Sequence, residues 1–307
     1  MHTFDSLQTA RATRPSVVTV GAFDGVHLGH QALIRHLVRA AHEADQDAAV
    51  ISFFPHPDEV LHKETGRFYL TTPEQKAAQM AALGVDTLVL HPFNDQVRHM
   101  RAAEFVRQLI GQLNMRALWA TADFAMGYQR EGTVDFLREQ GRQLGYDVHT
   151  IDHLLLNDAG ERVSSTRIRQ ALRAGDVAQA AAWLGRAYRL SGEVIHGDKR
   201  GRTIGFPTAN IAVWPRQIIP SNGVYAAWAW LGEARHLAVT NIGQRPTFEG
   251  QNITVEAHLL DFSAQIYGQH LTLDILARLR PEQRFNGVDE LKAQIDHDIS
   301  AARAGWG

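Results

Sequence analysis

Cysteine is absent from the 307 residues, which excludes disulfides, thiolate nucleophiles and Cys-ligated zinc. No apolar run approaches the roughly 18 residues that a membrane-spanning helix needs. Met1 to Pro15 mixes Asp5, Arg11 and Arg14 without an apolar core, so neither a signal peptide nor a membrane span is expected, and the expected location is the cytoplasm. An excess of charge of one sign is also missing. The 31 basic and 33 acidic side chains leave a net charge of −2, which offers no global attraction to nucleic acid or anionic membranes. Any anion site must therefore be local.

What is present reads as an ordinary globular chain, with 45% hydrophobic and 21% charged residues. Its length exceeds the roughly 100 to 200 residues of a typical single core, so two domains are expected. Short apolar runs alternate with segments of helical period: Val17 to Val20 then Leu33 to Ala41, Ala48 to Phe54 then Pro73 to Leu83, Val85 to Leu90 then Ala102 to Leu113, and Ala117 to Ala120 then Val134 to Leu144. This alternation predicts a parallel sheet covered by helices. Two further helices are expected at Thr166 to Ala174 and Val177 to Leu184.

From Tyr188 onward strands follow one another with no long helix between them, including Gly223 to Leu231, His236 to Asn241, Ile253 to Phe262 and His270 to Arg280. Leu271, Leu273, Ile275, Ala277 and Leu279 alternate, which predicts one shared apolar face and leaves barrel and sandwich both open. Leu291, Ile295 and Ile299 predict a closing helix over Val288 to Arg303. The expected domains are 1–184, an α/β unit, and 185–307, an all-β unit with a C-terminal helix.

The first strand runs into Gly21-Ala22-Phe23-Asp24-Gly25-Val26-His27-Leu28-Gly29-His30 and then a helix. Glycines let backbone approach a ligand closely, and the N–H groups of a helix start attract anions. Two histidines three apart reach the same side of that entrance and can donate to phosphate oxygens. Taken alone, the segment also fits Asp24 capping a turn between surface histidines. Downstream, Ser164-Ser165-Thr166-Arg167-Ile168-Arg169 opens another helix. Hydroxyls are ordinary caps, but two arginines in a first turn oppose the helix dipole unless an anion is near.

These residues resemble the HxGH signature of the nucleotidyltransferase superfamily, and the Gly-x-Phe-Asp-Gly-x-His-x-Gly-His form is similar to the adenylyltransferase module of prokaryotic bifunctional riboflavin kinase/FAD synthetases. The second segment resembles that family's Ser-Ser-Thr-x-Ile-Arg motif. The resemblance implies a Rossmann-like domain in which His27 and His30 act on phosphate. It makes Gly21, Phe23, Asp24, Gly25, Gly29, Ser164, Ser165, Thr166 and Arg167 nucleotide contacts. It also implies flavin contacts from Phe54, Pro55 and Pro57 and from Asp123 and Phe124. The chain departs from the family at Thr121 and Ala122, where glycine and an acidic residue are usual, and at Ala125, where arginine is common.

The second half carries Gly197-Asp198-Lys199-Arg200-Gly201-Arg202-Thr203-Ile204-Gly205-Phe206-Pro207-Thr208-Ala209-Asn210. No Gly-Lys-Ser/Thr ends it, so it is not a Walker A loop. Glycines among cations would make a mobile flap able to cover phosphates, and a solvated turn has the same composition. Thr208 and Asn210, two apart in an extended chain, present oxygens to one side and can share a Mg²⁺.

The string resembles the Gly-Phe-Pro-Thr-Ala-Asn motif of riboflavin kinases. That resemblance implies a β-barrel kinase domain and Mg²⁺ on Thr208 and Asn210. ATP contacts follow from Gly197, Lys199, Gly201, Arg202, Gly205 and Pro207, and a flavin contact from Arg280. Glu256 is implied as the base for the ribityl hydroxyl.

Riboflavin, FMN, FAD and ATP are the implied partners, with no nucleic acid or membrane. A monomer and weak self-association both stay open. So do a flavin-binding protein without catalysis and an adenylyltransferase with another acceptor, since HxGH does not name one. His56, His149, His153 and His196 show no metal-ligand spacing and are expected to be structural or surface groups.

Overall fold

The computed structural model describes residues 1–63, 65–151, 163–197, 200–247 and 250–307. His153 and Lys199 fall outside these residues, as do the side chains of Arg200 and Arg202. The chain forms two compact units, Met1–Thr65 with Thr71–Ser165, and Gly66–Leu70 with Thr166–Gly307.

The first unit runs β1 (His2–Phe4), β2 (Ser16–Gly21), α1 (Leu28–Glu43), β3 (Asp47–Phe53), α2 (Pro57–His62), α3 (Pro73–Ala82), β4 (Thr87–His91), α4 (Asp95–His99), α5 (Ala102–Leu113) and β5 (Met115–Thr121). It continues through a ribbon of β6 (Ala125–Met126) and β7 (Gly132–Thr133), then α6 (Val134–Leu144) and β8 (Asp147–Ile151). Six strands form one parallel sheet in the order β1-β4-β3-β2-β5-β8.

Both faces of this sheet are covered, which is why β2 and β3 read as continuous buried runs and not as alternations. One face packs Leu33 and Ile34 of α1 and Met80 of α3 against Val50 and Leu88. The other packs Phe105, Val106 and Leu109 of α5 and Leu137 of α6 against Val18, Ile51 and Leu118. Strand order reverses between β2 and β5. In doubly wound sheets, ligands collect outside the carboxyl ends of strands at such a point. Gly21, the last residue of β2, stands there.

The second unit starts with α7 (Ser165–Ala174) and α8 (Val177–Leu184), followed by β9 (Tyr188–Ile195), the short α9 (Arg200–Thr203), β10 (Ala209–Val213), β11 (Gly223–Leu231), β12 (Ala234–Thr247), β13 (Gly250–Leu259), β14 (His270–Arg280) and α10 (Val288–Trp306). The strands close as a barrel in the order β10-β13-β12-β11-β14-β9, so the barrel alternative holds. Compact packing places α7 and α8 with the barrel, whereas the change of sequence pattern comes at the end of α8. The segment Gly66–Leu70 also belongs to this unit. Its Phe68 and Tyr69 amides donate to Arg216 O at 2.8 and 2.9 Å, and Ile218 N donates back to Tyr69 O at 2.8 Å.

The single apolar face expected along β14 ends at Ile275. Against β11, Ala227 pairs with Ile275 but Ala226 pairs with Ala277, and Tyr225 pairs with Arg278 but Val224 pairs with Arg280. Each step inserts one unpaired residue, Leu276 and then Leu279, and each β-bulge reverses the alternation that follows. Both leucines instead join the cluster with Val224, Ala226, Ile299 and Ala302, where α10 packs on the barrel. The deepest residues of α10 are Asp298 and Ala302.

Candidate active sites

The first candidate site surrounds the loop from Gly21 to His30. His27 is the N-cap of α1, and its Nδ1 accepts from the His30 amide at 3.3 Å. In a neutral imidazole this leaves the proton on Nε2, where it can donate to an anion. The His30 ring stacks on His27 with centroids 3.6 Å apart and meets Phe23 edge-on at 5.1 Å. His30 Nδ1 is buried and bonded to no described residue. Burial, and then the neighbouring charges of His27, Lys76 and His56, push the His30 pKa well below its ordinary value. The two imidazoles thus lie together at a helix entrance, as the spacing predicts.

The loop is unusual in its backbone. Phe23, Gly25 and Val26 have φ of 47°, 79° and 40°, in the left-handed region that costs a non-glycine residue about 1 to 2 kcal/mol. Side chains from distant parts of the unit hold it. Ala22 O accepts from Ser52 Oγ at 2.9 Å and from Lys76 Nζ at 2.8 Å. Asp24 O accepts from Ser165 Oγ at 2.8 Å, and the Gly25 amide donates to Thr71 Oγ1 at 3.4 Å. Ser165 therefore joins the Ser164–Ser165 segment to the histidine loop, while Thr166 and Arg167 continue into α7 of the second unit. Arg169, the other arginine of that turn, is buried with its guanidinium 3.8 Å from the Phe68 ring and its Nε donating to Phe68 O at 2.9 Å. Its place in the first turn thus has a packing explanation within the second unit.

Sequence reasoning did not single out Ser52, Thr71 or Lys76. Lys76 and Met80, four apart, are the buried residues of α3. A lysine on the apolar face of a helix is the signal that was available.

Beside Gly21 and Ala22 opens an aromatic-walled cavity of about 580 Å³, with Phe53, Phe93, Phe105, Phe124 and Met126 among its lining residues. Of the residues expected to contact flavin, Pro57 and Phe124 line it, whereas Phe54, Pro55 and Asp123 are not among its lining residues. Ala125, where the family commonly has arginine, is part of the wall, and Arg98 and Arg130 are among the other lining residues. Gly127 also lines it. Its φ is 78°, and a Cβ there would meet the Ala102 amide nitrogen at 2.6 Å.

The second candidate site lies on the barrel. Antiparallel pairing of β10 and β13 sets Asn210 opposite Glu256, and Thr208 Oγ1 lies 3.5 Å from Glu256 Oε2, within reach to donate. Three residues separated by up to 48 positions thus meet at one place. Gly197 passes so close to the Asn210 side chain that a Cβ would overlap its amide, which explains a glycine there. Gly201 sits in α9, Gly205 has φ of 96°, and Pro207 O accepts from His258 Nδ1 at 2.7 Å. A cleft of about 170 Å³ adjoins them, lined by Pro207, Thr208, Ala209, Leu259, Ile266 and Tyr267.

Arg280 is held elsewhere. Its Nε and Nη2 donate to both oxygens of Asp298 at 2.8 to 3.1 Å, and Nη1 donates to Pro281 O at 3.2 Å. Asp298 is only 3% exposed.

Among the described residues no group of three His, Cys, Asp or Glu side chains could hold a metal by itself. The hydroxyl of Thr208 and the amide of Asn210 form a hard-oxygen pair, which fits a Mg²⁺ that would take its remaining ligands from nucleotide phosphates and water. His56 caps α2, its Nδ1 accepting from Asp58 N at 3.1 Å, and His149 and His196 pack on Trp119 and Tyr267.

Comparison with known proteins covers both halves. Residues 9–167 match the family model of FAD synthetase and residues 184–306 that of riboflavin kinase. The chain is 38% identical over 293 residues to a bifunctional riboflavin kinase/FMN adenylyltransferase of Escherichia coli, covering 95% of this chain and 93% of that one. It is 40% identical, with the same coverage, to the protein of that name from Pseudomonas fluorescens. A crystal structure described as a macrolide-efflux protein from Streptococcus pneumoniae superposes with a TM-score of 0.91 at 30% identity, over 100% of this chain and 99% of that one. Among the described residues no helix is long and apolar enough to cross a membrane. With both halves matched in order and nearly the whole length covered, this chain belongs to the family of bifunctional riboflavin kinase/FMN adenylyltransferases.

Proposed function

We propose that this chain makes flavin nucleotides in two ATP-dependent steps, phosphorylating riboflavin to FMN within 185–307 and adenylylating FMN to FAD within 1–184. The observation that carries the reading is the meeting of Thr208, Asn210 and Glu256 on the barrel, in a chain whose other unit stacks His27 on His30 in a loop whose Gly21 and Ala22 line an aromatic cavity.

In the kinase step Glu256 accepts the proton of the terminal ribityl hydroxyl. The hydroxyl oxygen bonds to the γ-phosphorus of ATP as the bond to the β-phosphate oxygen breaks, and ADP leaves. Mg²⁺ on Thr208 and Asn210 would supply charge neutralisation on the phosphates. Gly197, Lys199, Gly201, Arg202, Gly205 and Pro207 are the proposed ATP contacts, and Arg280 orders the β14 end of the flavin site from its anchor on Asp298.

In the adenylylation step an FMN phosphate oxygen attacks the α-phosphorus of ATP and pyrophosphate departs, so no covalent enzyme intermediate is needed. His27 and His30 donate to the phosphates as charge develops. Gly21, Phe23, Asp24, Gly25, Gly29, Ser164 and Ser165 shape the anion site, and Thr166 and Arg167 are further nucleotide contacts in this reading. The isoalloxazine lies against Pro57 and Phe124, and Phe54, Pro55 and Asp123 fix the neighbouring backbone. The protein works in the cytoplasm as a monomer or weak self-associate, without nucleic acid or membrane.

Incubation with riboflavin, ATP and Mg²⁺, followed by separation of the flavins, tests this. FMN should appear first and FAD after it. Absence of both overturns the reading, and FMN without FAD, even when FMN is supplied, overturns its second half.

A further inference from the structure

Lys76 is 4% exposed, and its Nζ donates to Ala22 O at 2.8 Å and Ser52 Oγ at 2.9 Å. Burial pulls its pKa from 10.5 to about 8, against the upward pull of the Asp24 carboxylate. A buried ammonium is a costly way to bond a carbonyl, because a neutral donor would serve and Ser52 already provides one. What only lysine adds is a positive charge, and the site above it defines where that charge is needed. Asp24, 1% exposed, stands in the same loop as His27 and His30. A buried carboxylate so placed repels any polyphosphate unless a cation offsets it.

The pin matters as well. Ala22 directly precedes Phe23, the first of the left-handed residues, and strained backbone persists only where its surroundings over-determine it.

We infer that Lys76 is a positioning residue of the adenylylation site, holding the loop at Ala22 and cancelling the Asp24 charge so that ATP phosphates can enter. This rests on reading the first unit as an FMN adenylyltransferase. The loop keeps its carbonyl oxygens away from the phosphates by tying them to Lys76, Ser52 and Ser165. The ammonium makes the pocket net attractive to an anion without touching the substrate.

Two variants of the full chain separate the two effects. Lys76→Gln keeps an N–H donor for Ala22 but loses the charge, and Lys76→Met loses both. For FAD formation from added FMN, we expect Lys76→Gln to raise the KM for ATP about tenfold with kcat little changed. Lys76→Met should also lower kcat by about a hundredfold, the scale at which a misplaced catalytic loop acts. The KM for FMN should stay near wild type in both. Adding Asp24→Asn to Lys76→Gln should bring the KM for ATP back towards the wild-type value. The rate of FMN formation from riboflavin reports that the second unit is folded, and the circular dichroism spectrum and thermal transition report that the first unit is.

With both units folded, wild-type ATP kinetics in either single variant overturns the proposal, and failure of Asp24→Asn to restore the KM overturns its electrostatic half. If wild-type protein itself forms no FAD from FMN, the failure belongs to the functional reading of the unit instead.

Discussion

The imidazole of His30 lies over that of His27, with 3.6 Å between ring centroids and 18° between ring planes. Burial disfavours a charge on His30, and a second charge on a ring so close adds to the cost, so His30 stays neutral where an ordinary histidine would protonate. An unfolded histidine protonates near pH 6.5, as a general reference value. From there down to the folded-state value, the unfolded chain binds the extra proton. Stability therefore rises with pH across that window, is fully present above it, and is lost as pH falls. The fall in melting temperature between pH 7 and 5 should be steeper in wild type than in His30→Asn. Equal slopes would contradict this assignment.

Lys76 shows the same linkage at alkaline pH. Its folded pKa of about 8 lies below the ordinary 10.5, so the unfolded chain binds more protons between those values and stability climbs as pH rises through the window. Relative to Lys76→Met, wild type should gain about 3 kcal/mol between pH 8 and 10.5, at about 1.4 kcal/mol per pH unit. Urea unfolding of both proteins at several pH values measures this. A constant difference would mean that the ammonium is not desolvated.

Glu256 on β13 reaches Thr208, just before the neighbouring strand β10, at 3.5 Å. Glu256→Gln preserves shape and removes the base, so FMN formation should fall by about 10² to 10⁴-fold, the usual range for general-base loss. Adenylylation of added FMN should persist. Unchanged riboflavin phosphorylation would remove Glu256 from the mechanism.

Arg280 and Asp298 form a pair joined by three hydrogen bonds, with Asp298 buried and Arg280 partly so. Removing one partner of a fully buried pair costs about 3 to 5 kcal/mol, and the partial exposure of Arg280 lowers this to about 1 to 3 kcal/mol. Asp298→Ala should destabilise the barrel unit by that order in denaturant unfolding, and kinase activity should be lost at lower temperature than in wild type. A change below about 1 kcal/mol would show that Arg280 finds another partner or reaches solvent.

Much of the molecule was legible in one dimension. The alternation of apolar runs with helical periods named the parallel sheet and its helices, and strand succession after Tyr188 named the β unit. Where reading failed, the cause was register. The expected face along β14 assumed an unbroken period of two, and bulges at Leu276 and Leu279 broke it because the barrel must bend there. The β6–β7 ribbon and the four- to six-residue helices α2, α4 and α9 are too short to carry a periodic signal.

The sequence by itself determined the two fold classes, the histidine turn and the Thr208–Asn210 pair. Glycine placement, helix entry and short spacing are local, and local chemistry survives in any fold that keeps the segment intact. Only tertiary structure decided which distant side chains serve those segments. Strand order brings Ser52 of β3 to Ala22, the packing of α3 brings Lys76 there, antiparallel register brings Glu256 to Thr208, and α10 carries Asp298 to Arg280. Such pairings depend on how strands are ordered and aligned, and no periodicity along the chain encodes them.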